Sequence, residues 1–193
     1  MMRLVIILCV TLGLAACQEE TAQDISAVTL DPQAVGHYCQ MELLEHEGPK
    51  GQAHLAGLPG APLFFSQVRD AVAYIRMAEQ SHSSLAVWVN DMGADGASWA
   101  APGADNWIRA ETAVYVVGAR VKGGMGAPEV VPFSDPARAE AFAQANGGSV
   151  MTLDQIPDEA VLAPVALDGV AQDDDSDTDF EQRLRDLSRK TGG

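Results

Sequence analysis

Basic residues are scarce in this 193-residue chain: 12 Lys and Arg stand against 27 Asp and Glu, a formal net charge of −15. Nucleic-acid binding needs a basic patch, so that class of function is set aside. Cysteine is almost as rare, at three residues, too few for the disulfide frameworks that staple small secreted domains. No apolar run approaches the about 20 residues that a membrane-crossing helix requires. There is no G-x-S-x-G elbow, no P-loop and no H-E-x-x-H pair, so the common hydrolase, nucleotide and zinc-protease signatures are missing. The chain is expected not to be an enzyme.

What is present begins at the N-terminus. Arg3 precedes an apolar run from Leu4 to Leu14, too short to span a bilayer but suited to a signal peptide. It ends in Leu14-Ala15-Ala16-Cys17, which resembles the lipobox cut by lipoprotein signal peptidase. Residues 1–16 are expected to be the signal peptide, and the Cys17 sulfur to carry a diacylglycerol that anchors an exported protein to the membrane. Cys9 then leaves with the leader and Cys17 is consumed. Cys39 remains as a lone thiol in an oxidising compartment, where an odd cysteine calls for burial, a partner or a use.

Residues 17–34 read as the lipidated cysteine and a linker, Gln18 to Gln23 being almost wholly polar. The body that follows divides into two similar halves. A helix is predicted from the N-cap Ser66 through Val68, Ala71, Val72 and Ile75, and another from Ser134 or Asp135, with Pro136 just inside and Asn146-Gly147-Gly148 as its stop. Each follows an apolar run ending in Phe-Ser and precedes a β-rich run, Leu85–Val89 or Ser149–Leu153. Further strands are predicted near Met41–His46 and Ala113–Val121. The expected fold is therefore α+β, with two small lobes, each strand-strand-helix-strand, related by internal duplication. The lobes span 35–90 and 107–171, joined by a turn-rich segment at 91–106. Residues 172–193 form an acidic tail, with aspartates at 173, 174, 175, 177 and 179. It is expected to be disordered apart from a short helix near Phe180–Leu187. An EF-hand reading of that tail fails, because Phe180 stands where the loop needs glycine.

The residues that suggest chemistry are Cys39, Met41 and Met125, with His37 beside them. In an extended segment, His37, Cys39 and Met41 would share one face, because side chains alternate. Met125, in Gly123-Gly124-Met125-Gly126, is badly placed for a core and well placed to swing onto something exposed. A thiolate with thioethers is a soft donor set that selects Cu(I), and it makes a poor zinc site. Each residue alone also fits a bland role: Met41 as gap filler, Cys39 as a small buried hydrophobe. On that alternative the protein is a lipid-anchored assembly or interaction module with no metal role.

Two segments resemble the landmark motifs of the NosL family: His37-Tyr38-Cys39-Gln40-Met41, and Gly124 through Phe133. The strand Ala113–Gly118, the lipobox and the two-lobed pattern are also similar, over roughly Val35 to Leu153. Gln40 and Gly124 depart from the family pattern, where glycine and proline are expected. The resemblance implies a periplasmic, lipid-anchored chaperone that delivers Cu(I) for maturation of nitrous oxide reductase. Its partners would be the membrane maturation complex and the apo-reductase.

The anchor is directly testable. Mass spectrometry of the native protein is expected to find acyl chains on an N-terminal Cys17, and Cys17→Ser is expected to abolish leader cleavage or membrane fractionation. An N-terminus elsewhere, or an unmodified Cys17, contradicts the lipoprotein reading.

Overall fold

The computed structural model describes residues 22–60, 62–165 and 182–189. The leader, Cys17 and the aspartate-rich part of the tail lie outside the described residues; residues 182–189 are helical. The first sheet contains β1 (Gly51–Leu55), β2 (Leu63–Phe65), β3 (Ser84–Asn90) and β4 (Trp107–Arg109), with helix α1 (Val68–Arg76) between β2 and β3. The second contains β5 (Val114–Lys122), β6 (Pro128–Phe133) and β7 (Ser149–Thr152), with α2 (Pro136–Asn146) before β7 and α3 (Asp158–Leu162) after it. The strand orders are β2-β1-β3-β4 and β6-β5-β7, and all neighbours are antiparallel. Strand-strand-helix-strand thus occurs twice with the same neighbour order. The fold is α+β with two similar lobes.

Local chemistry explains the helices. At the start of α2, the Asp135 carboxylate accepts the Ala137 N–H at 2.9 Å, Pro136 occupies the first turn, and Gly147 stops the helix at φ 81°. These are the N-cap, the pre-set φ and the left-handed stop that such a sequence encodes. Helix α1 buries Val68, Ala71 and Val72 by its spacing, yet its N-cap residue Gln67 makes no capping bond of its own.

The lobes share one core. Phe65, Val72 and Val89 of the first pack in the same cluster as Tyr115, Val130, Ile156 and Val161 of the second. Two arginines of α1 fasten the C-terminal arm across it. Arg69 donates to the carbonyls of Val161 and Ala163, and Arg76 to those of Leu153 and Ile156 and to the Asp158 carboxylate. Arginine suits this work because its rigid fork serves several carbonyls at once.

Three expectations change. The strand predicted near Met41–His46 is instead a tight turn over 36–41, closed by a bridge between Val35 and Glu42, then a 3₁₀ turn at Leu43–Glu45. Gln40 at φ 55° curls the chain, and the wholly buried Leu43 pins it. The linker expected over 17–34 is shorter, because Gln23 to Ala34 lies against the first lobe. There Gln52 brackets Val28 through both its N–H and its carbonyl, Trp88 donates to the Ile25 carbonyl, and Leu30 is buried. Finally, Trp107–Arg109, assigned from the sequence to the second lobe, is the edge strand of the first sheet. Buried Asn90 donates to the Gly103 and Asn106 carbonyls, folding the connecting segment back so that β4 pairs with β3.

Candidate metal centre

The turn carrying Cys39 is built by the backbone. The Gly36 N–H donates to the Met41 carbonyl, and the Gln40 N–H returns to the Gly36 carbonyl at 2.9 Å. Gln40 occupies a left-handed backbone that favours glycine. Its amide offsets part of that cost by donating to the carbonyls of Gly36 and His37. The alternation that put His37, Cys39 and Met41 on one face therefore does not apply, since the segment is a turn. The His37 ring lies instead among aromatics, 4.9 Å from Tyr38, 5.5 Å from Tyr74 and 5.8 Å from Phe65 between centroids.

The Cys39 sulfur packs over Gly36. A methyl group there would stand 2.5 Å from Sγ and 3.8 Å from the Ser66 nitrogen. The loop of Met125 also approaches this residue: a methyl group at Gly124 would stand 3.1 Å from the Ser66 carbonyl oxygen and 2.8 Å from His46 Cβ. The backbone of Ser66 is thus approached both by the Cys39 turn and by the Met125 loop. Met41 and Met125 remain 42 % and 39 % exposed, so neither is enclosed in the core. Met92, in a similar setting before Gly93, packs instead against the cluster of Val116, Val131 and Phe133.

Of the glycines around Met125, Gly123 and Gly124 serve close approach, whereas Gly126, at φ 80° with open space beside it, serves the turn. Gly123 lies against the side chains of Glu129 and Gln67, where any Cβ would collide, and Gly124 lies against the 46–47 turn. The Gly123 N–H donates to the Ala127 carbonyl, and the Gly126 N–H to the Gly123 carbonyl. The Met125 N–H donates to Gln67 Oε1 at 3.1 Å. The loop expected to swing is a bonded turn, docked on the first lobe.

Behind this turn sit two buried ionisable side chains outside the candidate set, Lys50 and Glu129. Lys50 donates to the carbonyls of Glu47 and Gly48. Burial pushes its ammonium down to about 8, against the opposing pull of Glu129, Cys39 and Glu47. Glu129 Oε1 accepts the N–H groups of Arg69 and Val130, while Oε2 is buried with no hydrogen-bond partner. Burial pushes this carboxyl up to about 8, although those two N–H groups favour its ionised form. A glutamate inside an otherwise apolar strand was the available signal. Among the described residues, no three His, Cys, Asp or Glu side chains form a metal-binding cluster.

Residues 27–161 match the family model of NosL. The chain belongs to the NosL family. It is 51 % identical over 192 residues to the copper-binding lipoprotein NosL of Achromobacter cycloclastes, covering 100 % of this chain and 98 % of that one. With the copper-binding lipoprotein NosL of Stutzerimonas stutzeri it shares 32 % identity over 156 residues, 80 % of this chain and 78 % of the other. The crystal structure of the copper chaperone NosL from Shewanella denitrificans superposes with a TM-score of 0.62 at 31 % identity, over 68 % of this chain and 95 % of that one. Within this fold, the Cys39 turn and the Met125 loop both approach the backbone of Ser66.

Glu129 gives this centre a pH signature. A carboxyl raised above its unfolded value contributes stability that is complete below the unfolded pKa and is lost as pH rises through the folded one. The parent protein is expected to lose stability from about pH 5 to about pH 8. Lys50, depressed to about 8, acts with the opposite sign and only above that window. Glu129→Gln is expected to flatten the slope. Denaturant unfolding at a series of pH values checks this, and equal slopes in both proteins contradict it.

Proposed function

We propose that this chain is a lipid-anchored periplasmic chaperone that binds Cu(I) and delivers it for maturation of nitrous oxide reductase. Its ligands are Cys39, Met41 and Met125, with His37 as the fourth candidate. The membrane maturation complex and the apo-reductase are its partners. The observation that carries the reading is the approach of both the Cys39 turn and the Met125 loop to the Ser66 backbone, with Met41 and Met125 exposed. The naming of its relatives as copper-binding lipoproteins supports it.

The donor chemistry fits a cargo ion. One thiolate neutralises Cu(I), and thioethers complete a soft shell without adding charge. The buried Lys50 ammonium, which interacts electrostatically with Cys39, opposes a divalent ion more strongly than a monovalent one.

Competition with a Cu(I) chelator tests the set. Cys39→Ser replaces the charged soft donor with a neutral hydroxyl and is expected to remove most of the affinity. Met41→Ala and Met125→Ala are expected to lose less each, every tenfold loss corresponding to about 1.4 kcal/mol. His37→Ala measures the imidazole's share, and activation of nitrous oxide reductase in cells measures delivery. A Cys39→Ser protein that binds Cu(I) as tightly as the parent overturns the proposal. So does a parent protein that binds only at micromolar concentration or more weakly, which points to the assembly module.

A further inference from the structure

Gln67 occupies an unusual place. It precedes the first residue of α1 and is 3 % exposed, a burial that amide side chains tolerate only when hydrogen-bonded. Its amide is used at both ends. Nε2 donates to Asp70 Oδ2 at 3.0 Å, and Oε1 accepts the Met125 N–H at 3.1 Å. The first bond fixes which end of the amide faces the loop, because a carboxylate accepts and does not donate. The oxygen is thereby held toward Met125. Gly123 lies against the same Oε1 and against the Gln67 Cγ, with no room for a side chain between them. Gln67 also follows Ser66, whose nitrogen lies near Gly36 of the Cys39 turn. One residue therefore touches the Met125 loop with its side chain and continues the backbone that meets the Cys39 turn.

We infer that Gln67 is the positioning residue of the copper site, its side-chain carbonyl holding the Met125 backbone so that the thioether is presented to an ion bound at Cys39. This rests on Met125 being a copper ligand, as proposed above. Gln67 does not itself touch the ion; it removes conformations of a four-residue turn in which the sulfur would point elsewhere. Preorganisation of this kind raises affinity by reducing the ordering cost that binding would otherwise carry.

A double-mutant cycle separates positioning from a general structural role. Cu(I) affinity is measured by chelator competition for the full-length protein, Gln67→Leu, Met125→Ala and the double variant. Leucine fills a similar volume but cannot accept the loop's hydrogen bond, and it adds no donor for the ion. Gln67→Leu alone is expected to weaken Cu(I) binding by about five- to tenfold, the scale of one hydrogen bond. In the Met125→Ala background it is expected to weaken binding no further, because there is no thioether left to position. Losses that add in the double variant overturn the inference, as does a Gln67→Leu protein equal to the parent while Met125→Ala is weakened; that second outcome leaves the chaperone reading standing. Parent-like binding by Met125→Ala removes both this inference and Met125 from the ligand set. If Gln67→Leu does not fold, amide hydrogen exchange on the parent protein decides. Met125 N–H is expected to exchange slowly despite its exposed loop, and exchange at the rate of an unprotected amide overturns the inference.

Discussion

Helix α1 starts without a cap of its own, and the acceptor it lacks comes from the other lobe. Glu129 on β6 reaches the Arg69 N–H with one carboxyl oxygen, where the helix N-terminus offers unpaired donors and partial positive charge. The same oxygen accepts the Val130 N–H at the base of its own strand. Because Ser66 and Gln67 lead into α1, and Gly123 to Gly126 lead into β6, this carboxyl fixes the relation of the two loops. Ionising it in a fully buried site is costly, hence its raised pKa. The two segments of the candidate site are therefore held by a buried carboxyl that is not among its proposed ligands.

The lobes repeat a topology and divide the work. The first presents the Cys39 turn on its edge and receives the N-terminal segment through Gln52 and Trp88. The second presents a hairpin whose glycines let its backbone lie against the first lobe. Neither lobe builds the centre alone. The shared core and the arginine fastenings from α1 to the C-terminal arm keep their separation fixed. Binding by soft side chains from two loops needs that rigidity, because thioethers are individually weak donors.

Much of this architecture was legible in the chain. Asp135-Pro136 and Asn146-Gly147 encode the bounds of α2 through local chemistry, and the paired Phe-Ser sequences mark where each helix follows its second strand. The two loops that meet at Ser66 were visible as sulfur in odd settings, a lone thiol and a methionine among glycines. Less was legible where long-range bonds decide. The polar look of 17–34 concealed Leu30 and the backbone groups that Gln52 and Trp88 hold. The return of Trp107 to the first sheet depends on Asn90, whose partners lie thirteen and sixteen residues away. Glycine was ambiguous in principle, because freedom and close approach both require a missing side chain. Gln67 and Glu129 escaped notice because their roles exist only once the lobes are together.

The central claim is that a soft-donor centre forms between the Cys39 turn and the Met125 loop. X-ray absorption at the copper edge of the Cu(I)-loaded protein, compared with its Met125→Ala variant, tests it most directly. The account predicts a first shell dominated by sulfur that loses one sulfur scatterer in the variant. A shell made only of nitrogen and oxygen, or one unchanged by the substitution, would contradict it.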